Sequence, residues 1–136
     1  MKTVLFVCVH NAGRSQMAEA ALNWEAGRRG VPVQASSAGT QGGKQLNPMA
    51  VEAMREIVVS MDGHTPKVLT QEMVDSADRI ITMGCGVDAE ACPARFLVTE
   101  DWGLDDPAGR PIEEVRIIRD QILLRVSKLL DDLSAN

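Results

Sequence analysis

The run Lys2-Thr3-Val4-Leu5-Phe6-Val7-Cys8 breaks off into His10-Asn11-Ala12-Gly13, and a helical period begins directly beyond it. Apolar side chains in succession, without alternation, belong to a strand covered on both faces, which is the situation inside a parallel sheet. A parallel sheet needs long crossovers, usually helical, so this one feature commits the chain to layers of helix and sheet. Ser15 to Arg29 reads as a helix with Met17, Ala21 and Trp24 on its apolar side, and Arg28-Arg29-Gly30 forms a basic last turn and a glycine stop. Val31 to Ala35 follows as a short second strand, and Ser36 to Gly43 as a glycine-rich connection. Asn47-Pro48 opens a helix running to about Ile57, Thr70 caps another that ends at Ser76, and Arg79 to Met83 is a β-branched strand stopping at Gly84. Gly84 to Pro93 has no sustained period and reads as a loop or marginal helix, with Arg95 to Thr99 as a fourth strand. Val115, Ile118, Ile122, Val126, Leu129 and Leu133 form one stripe of a long C-terminal helix from Ile112. The expected fold is α/β: a doubly wound, three-layer sandwich with a four-stranded parallel sheet and helices on both faces.

At 136 residues the chain is expected to form a single domain over residues 1–136, burying roughly two-thirds of its unfolded surface. A net charge of -5, two Trp, two Phe and no Tyr provide neither a basic stripe nor stacking platforms, which argues against nucleic acid. The apolar start is too short to span a bilayer and lacks a cleavage site, so no membrane association and a cytoplasmic location are expected; a monomer is the expected state. Three Cys without a secretory signal suit reactive thiols in a reducing compartment better than a disulfide framework.

The segment Cys8-Val9-His10-Asn11-Ala12-Gly13-Arg14-Ser15 puts a Cys at a strand end and an Arg-Ser pair at a helix start. Such a loop offers a tetrahedral oxyanion the backbone N–H groups from Val9 to Ser15, the positive end of the helix dipole and the Arg14 guanidinium fork. The same donors favour a thiolate, so Cys8 is expected to titrate well below the ~8.5 of a free thiol and to act as a nucleophile. Ser15 adds a hydroxyl to that sulfur, and Asn11, tolerant of positive φ, is expected to hold the loop through bonds to its own backbone. In the plainer reading Cys8 is a small buried hydrophobe and Arg14 a surface side chain. That reading leaves a cation at a helix N-terminus with no anion to justify it. His10 reads as a solvent-facing loop side chain rather than a base. Gly39 to Lys44 lacks the Lys-Ser/Thr pair of a nucleotide loop and reads as a flexible connector.

With Cys-x5-Arg-Ser, Gln16-Met17-Ala18-Glu19 and Ser37-Ala38-Gly39, the chain resembles, over essentially its full length, the low-molecular-weight protein tyrosine phosphatase superfamily and its arsenate reductase branch. His10 and Gly13 depart from it, standing where many members have Gly and Cys; neither change removes a backbone donor. The resemblance implies reduction of arsenate to arsenite, with phosphate or sulfate as competing oxyanions. Glu100, Asp101, Asp105 and Asp106 crowd into seven residues before Pro107. Glu100 and Asp101 read as a solvated acidic loop. Likeness to reductases carrying Asp-Asp-Pro-Ala-Gly assigns the general acid to Asp105 and turn-shaping to Asp106. One positioned acid contributes about 10²- to 10⁴-fold.

Cys85 and Cys92 are superfluous for a phosphatase. The resemblance implies that Cys85 attacks Cys8 in the arsenic adduct and Cys92 then attacks Cys85, leaving a disulfide for thioredoxin or an analogous thiol carrier. The Cys-x6-Cys gap is too wide for an ordinary zinc site, in which His64 would be a distant fourth ligand, and two buried structural thiols are the other plain reading. No metal and no cofactor are expected. Some relatives bind potassium through residues resembling Asn11, Glu19, Ser37 and Thr65; Lys67, in place of the expected acid two residues after Thr65, brings a cation to that spot. The rivals are a phosphatase of the same fold and a non-catalytic thiol sensor or oxyanion-binding module.

Overall fold

The computed structural model describes residues 1–41, 43–83 and 100–134. Its elements are β1 (Lys2–Cys8), α1 (Arg14–Arg29), β2 (Val33–Gly39), α2 (Pro48–Glu56), α3 (Gln71–Ser76), β3 (Arg79–Thr82), β4 (Glu100–Asp101) and α4 (Ile112–Ser134). The four strands form one sheet in the order β2-β1-β3-β4, and every pairing is parallel. The sheet thus grows from β1 in both directions. Its two neighbours leave a crevice beyond the carboxyl end of β1, the place where open α/β sheets bind ligands. Cys8 is the last residue of that strand.

Unalternating apolar residues put β1 between two cores, as expected of it. Val4 and Phe6 face α1, α2 and α4, packing with Met17, Leu22, Met54 and Ile122. Leu5 and Val7 point the other way, toward Leu69, Val74 and Ile80 under α3. Among the described residues, helices therefore cover both faces unequally: α1, α2 and α4 on one and the short α3 on the other. Asn47 caps α2 by accepting from Met49 N and Ala50 N, with Pro48 in the first turn. Thr70 caps α3 by accepting from Met73 N.

Three expectations need correction. The second strand starts two residues later than its apolar onset and runs through Ser36, Ser37, Ala38 and Gly39, because β1 pairs with it along its whole length, from Lys2 opposite Val33 to Cys8 opposite Gly39. Pairing and burial override the weak strand preference of Ser and Gly. Trp24 is not on the buried side of α1: it is 41% exposed, with the Arg28 guanidinium 5.3 Å from its ring centroid. Glu100 and Asp101 are exposed but form β4, with Thr82 Oγ1 donating to Asp101 Oδ1 at 2.6 Å. The expected loop from Gly84 to Pro93 and strand from Arg95 to Thr99 lie outside the described residues.

Candidate active site

Beyond Cys8 the chain wraps into a loop held from behind by its carbonyls. Thr40 N donates to Cys8 O at 2.9 Å, Gln41 N to Val9 O at 2.9 Å, Gly43 N to His10 O at 2.7 Å and Asn47 N to Ala12 O at 2.8 Å. In a trans peptide the C=O and the next N–H point opposite ways, so these bonds turn the N–H groups of Val9, His10, Asn11 and Gly13 toward the other side. That side is an open cleft of about 470 Å³, lined by the loop from Cys8 to Arg14, by Asn47 and by residues from Leu104 to Ala108. Thr40, Gln41 and Gly43, from the segment expected to be a loose connector, thus back the loop. Gly39 makes the approach possible, since a Cβ there would lie 2.5 Å from Val9 O and 2.9 Å from Asn11 N.

Cys8 is 5% exposed, on the cleft floor. Asn11 N donates to its Sγ at 3.1 Å, and Ser15 Oγ is 2.8 Å from the same atom. Asn11 has φ 55°, the left-handed conformation anticipated for it. Its side chain does not bond its own backbone, however. The fully buried amide reaches across to other elements instead: Oδ1 accepts from Gln16 Nε2 at 2.8 Å and from Lys67 N at 2.9 Å, and Nδ2 donates to Ser15 Oγ at 2.8 Å.

Donor and acceptor inventories set the direction of this chain of bonds. Gln16 Nε2 donates to both Asn11 Oδ1 and Thr65 O, so Gln16 Oε1 faces His64 Nδ1, 2.9 Å away, and that nitrogen carries a proton. Ser15 Oγ accepts from Asn11, so its own proton is free to point at the sulfur. From His64 through Gln16, Asn11 and Ser15, each group donates toward Cys8, and donors at a sulfur favour its ionised form. Behind His64 stands Glu19, with Oε2 at 3.3 Å from Nδ1. Ser37 Oγ donates to Glu19 Oε1 at 2.8 Å, and Lys67 Nζ is 3.3 Å from the same oxygen. Lys67 therefore supplies the positive charge beside Glu19 from within the chain.

Arg14 opens α1 and is 7% exposed. Its Nη1 donates to Met83 O at 3.0 Å and to Leu104 O at 2.5 Å, and Nη2 is 4.0 Å from Asp106 Oδ2. The first turn of α1 holds no acidic residue. A nearly buried guanidinium, a helix N-terminus and a row of inward N–H groups make the loop side of the cleft positive, facing Asp105 and Asp106 on the other wall.

Opposite the loop, Leu104, Asp105, Asp106 and Pro107 form the second wall. Ladder-like bonds carry the chain here from β4: Trp102 N donates to Thr82 O at 2.9 Å and Leu104 N to Met83 O at 3.1 Å. Trp102 is buried against Phe6, ring centroids 5.2 Å apart. Asp105 and Asp106 are both exposed; Asp106 Oδ1 accepts from Ala108 N at 3.0 Å, bracing the turn as expected. His10 is exposed at the rim.

The structure thus brings together Cys8, Val9, His10, Asn11, Ala12, Gly13, Arg14, Asp105 and Asp106 around one cleft, with Ser15 beneath the sulfur. Cys85 and Cys92 lie outside the described residues. Among the described residues no three His, Cys, Asp or Glu side chains converge as a metal ion would require, and no helix is long and apolar enough to cross a membrane. Gln16 was readable only as part of a family motif and His64 only as a distant zinc ligand, neither as part of this chain of bonds. They are 48 residues apart, and nothing local announces that one will orient the other.

Known proteins can be set beside this geometry. The family model described as low molecular weight phosphotyrosine protein phosphatase matches residues 3–136. A putative arsenate reductase of Halobacterium salinarum is 39% identical over 134 residues, spanning 95% of this chain and 91% of that protein. A solved arsenate reductase in its phosphate-binding state shares the fold with a TM-score of 0.82 at 33% identity, over 98% of this chain and 100% of that one. A thioredoxin-dependent arsenate reductase of Corynebacterium glutamicum gives 0.77 at 34% identity, over 99% of this chain and 63% of that one.

Proposed function

The chain belongs to the low-molecular-weight phosphotyrosine protein phosphatase family, and from that membership and its cleft we propose that it is an arsenate reductase using thioredoxin or an analogous thiol carrier. The observation carrying this reading is the Cys8 sulfur, held between Asn11 N and Ser15 Oγ on the floor of a cleft whose loop side a buried guanidinium makes positive. It is supported by similarity to proteins named arsenate reductase across nearly the whole chain.

Arsenate enters as a tetrahedral anion against the N–H groups of Val9 to Ser15. Arg14, its plane fixed by the carbonyls of Met83 and Leu104, neutralises the charge. The Cys8 thiolate attacks arsenic, forming a sulfur–arsenic bond while an oxygen departs as water with a proton from Asp105. The Cys85 thiolate then attacks Cys8 Sγ. The sulfur–arsenic electron pair stays on arsenic, reducing As(V) to As(III), and arsenite leaves as a Cys8–Cys85 disulfide forms. Cys92 attacks Cys85, releasing Cys8 as thiolate, and the dithiol carrier reduces the Cys85–Cys92 disulfide. The whole chain works as one monomeric unit in the reducing cytoplasm, where such thiols persist.

The test is arsenate-dependent NADPH oxidation with thioredoxin and thioredoxin reductase. The native protein should turn over repeatedly, and Cys8→Ser, Cys85→Ser and Cys92→Ser should each lose repeated turnover. Cys92→Ser should retain one round, since the first disulfide still forms. Repeated turnover by Cys85→Ser, or no arsenate dependence in the native protein, would overturn the proposal.

A further inference from the structure

Besides the bonds of Arg14, the two walls of the cleft meet at Gly13 and Pro107, which none of this chemistry uses. Gly13, the residue before α1, has φ −133°, so a left-handed turn is not what this glycine provides. What it provides is room. A Cβ built on Gly13 would sit 2.8 Å from Pro107 Cγ and 3.6 Å from Pro107 Cδ, whereas carbon atoms in contact settle at about 3.5–4.0 Å. Pro107 is buried although its neighbours Asp105, Asp106 and Ala108 are exposed. A proline ring cannot swing aside as a flexible side chain would, because it is bonded back onto the backbone. A change of ring pucker moves Cγ alone, and what it leaves of the clash would have to be relieved by the loop as a whole.

That loop has little slack on the side toward Arg14. Arg14 Nη1 holds Leu104 O at 2.5 Å, Leu104 N is tied to Met83 O at 3.1 Å, and Arg110 N donates to Pro107 O at 3.1 Å. Asp105 lies between the Leu104 anchor and the Pro107 contact, so displacing Pro107 displaces the carboxylate. We propose that Gly13 is a positioning residue: its bare Cα is the seat of Pro107, and this seating sets how closely the Asp105 carboxyl approaches the oxygen leaving arsenic. The inference rests on the reading of the cleft as an arsenate reductase site with Asp105 as its acid. It goes further by naming the contact through which the nucleophile loop places the acid loop.

The experiment compares the full chain with Gly13→Ala, Pro107→Ala and the double variant, measuring kcat and KM for arsenate, the alkylation rate of Cys8 by iodoacetamide, and folding by circular dichroism. A reacting group misplaced by about 1 Å loses roughly 10²-fold, so Gly13→Ala should lower kcat by about ten- to a hundredfold. KM and the alkylation rate should stay within about threefold, because alanine keeps the Gly13 N–H and adds its methyl toward Pro107 rather than toward the sulfur. Removing the ring should relieve the clash, so the double variant should recover most of the kcat lost by Gly13→Ala. A native kcat in Gly13→Ala, an equal fall in alkylation rate, or a double variant no faster than Gly13→Ala would overturn the proposal. A native protein that reduces no arsenate would instead sink the functional reading on which it stands.

Discussion

The two walls of the cleft are built on opposite plans. In the wall from Cys8 to Ser15, four carbonyls are bonded to the segment from Thr40 to Asn47, and the fully buried Asn11 side chain makes three further bonds. In the wall from Leu104 to Ala108, both aspartates are exposed, and the ties run through backbone atoms, the Arg14 side chain and the Gly13–Pro107 contact. The first wall is over-determined, so its function and its stability are the same set of bonds. The second is held through Leu104, Pro107 and backbone bonds, so its two exposed aspartates can change while the fold stays as it is.

The sharpest way to break this contrast is the acid. Asp105→Asn should lower arsenate reduction by about 10²- to 10⁴-fold, with a melting temperature within a degree or two of native, since an exposed side chain off the special sites contributes within about 0.5 kcal/mol. Asp106→Asn, which keeps an acceptor for Ala108 N, should stay within about threefold of native activity. Reversed rankings would transfer the acid role to Asp106.

On the other wall, Asn11→Ala should damage activity and stability together. It leaves Gln16 Nε2 and Lys67 N without their shared acceptor and Ser15 without its donor, at about 1–3 kcal/mol for each buried group left unpaired. Thermal melting reads the stability. Thiolate absorbance against pH should show the Cys8 sulfur ionising at higher pH than in the native protein. An unchanged melting temperature would show that the loop does not depend on this amide.

The smallest expected effect lies far from the cleft, as a control on both walls. Hydrogen bonding from Arg116, assisted by Arg119, holds the Glu56 carboxyl below its ordinary 4.5. A carboxyl lowered in the folded state adds stability that is present above about pH 4.5 and is lost as pH falls through the folded value. Arg116→Met should therefore melt slightly earlier than native at pH 7, and the two should converge as the pH falls through the folded value of Glu56. The pair is on the surface, so the difference at pH 7 should be small and arsenate turnover unchanged.

The elements legible in the sequence were those whose signal is local. β1 is an unbroken apolar run, α4 carries one stripe over 23 residues, and the caps Asn47 and Thr70 sit where their helices begin. The full extent of β2 was hidden, because Ser36 and Ser37 carry no strand signal. They are strand because β1 lies alongside and because Ser37 bonds Glu19 from α1. In the site, Cys8, Arg14 and Ser15 were readable as a spacing at a strand–helix junction. Asn11 was readable for its left-handed backbone but not for its partners, since Lys67 and Gln16 reach it only after β2 and the segment before α3 have been placed. The Pro107 seat was invisible for the same reason: 94 residues separate it from Gly13, and a glycine's missing side chain says nothing about what fills the space.

The bonds that turn the loop's carbonyls outward are made to the chain's own Thr40, Gln41, Gly43 and Asn47, so no anion is needed to form them. Little conformational entropy is then left to lose when one enters, and the pocket is preorganised for a tetrahedral shape rather than for a particular central atom. Phosphate and arsenate share that shape, so affinity alone cannot tell the nutrient from the poison. Discrimination falls to the steps after docking: only an arsenic centre can accept the electron pair released when a second thiol strikes Cys8. The enzyme's selectivity is thereby written in redox chemistry instead of in fit, and abundant phosphate should slow it as a competitor without ever being consumed by that route.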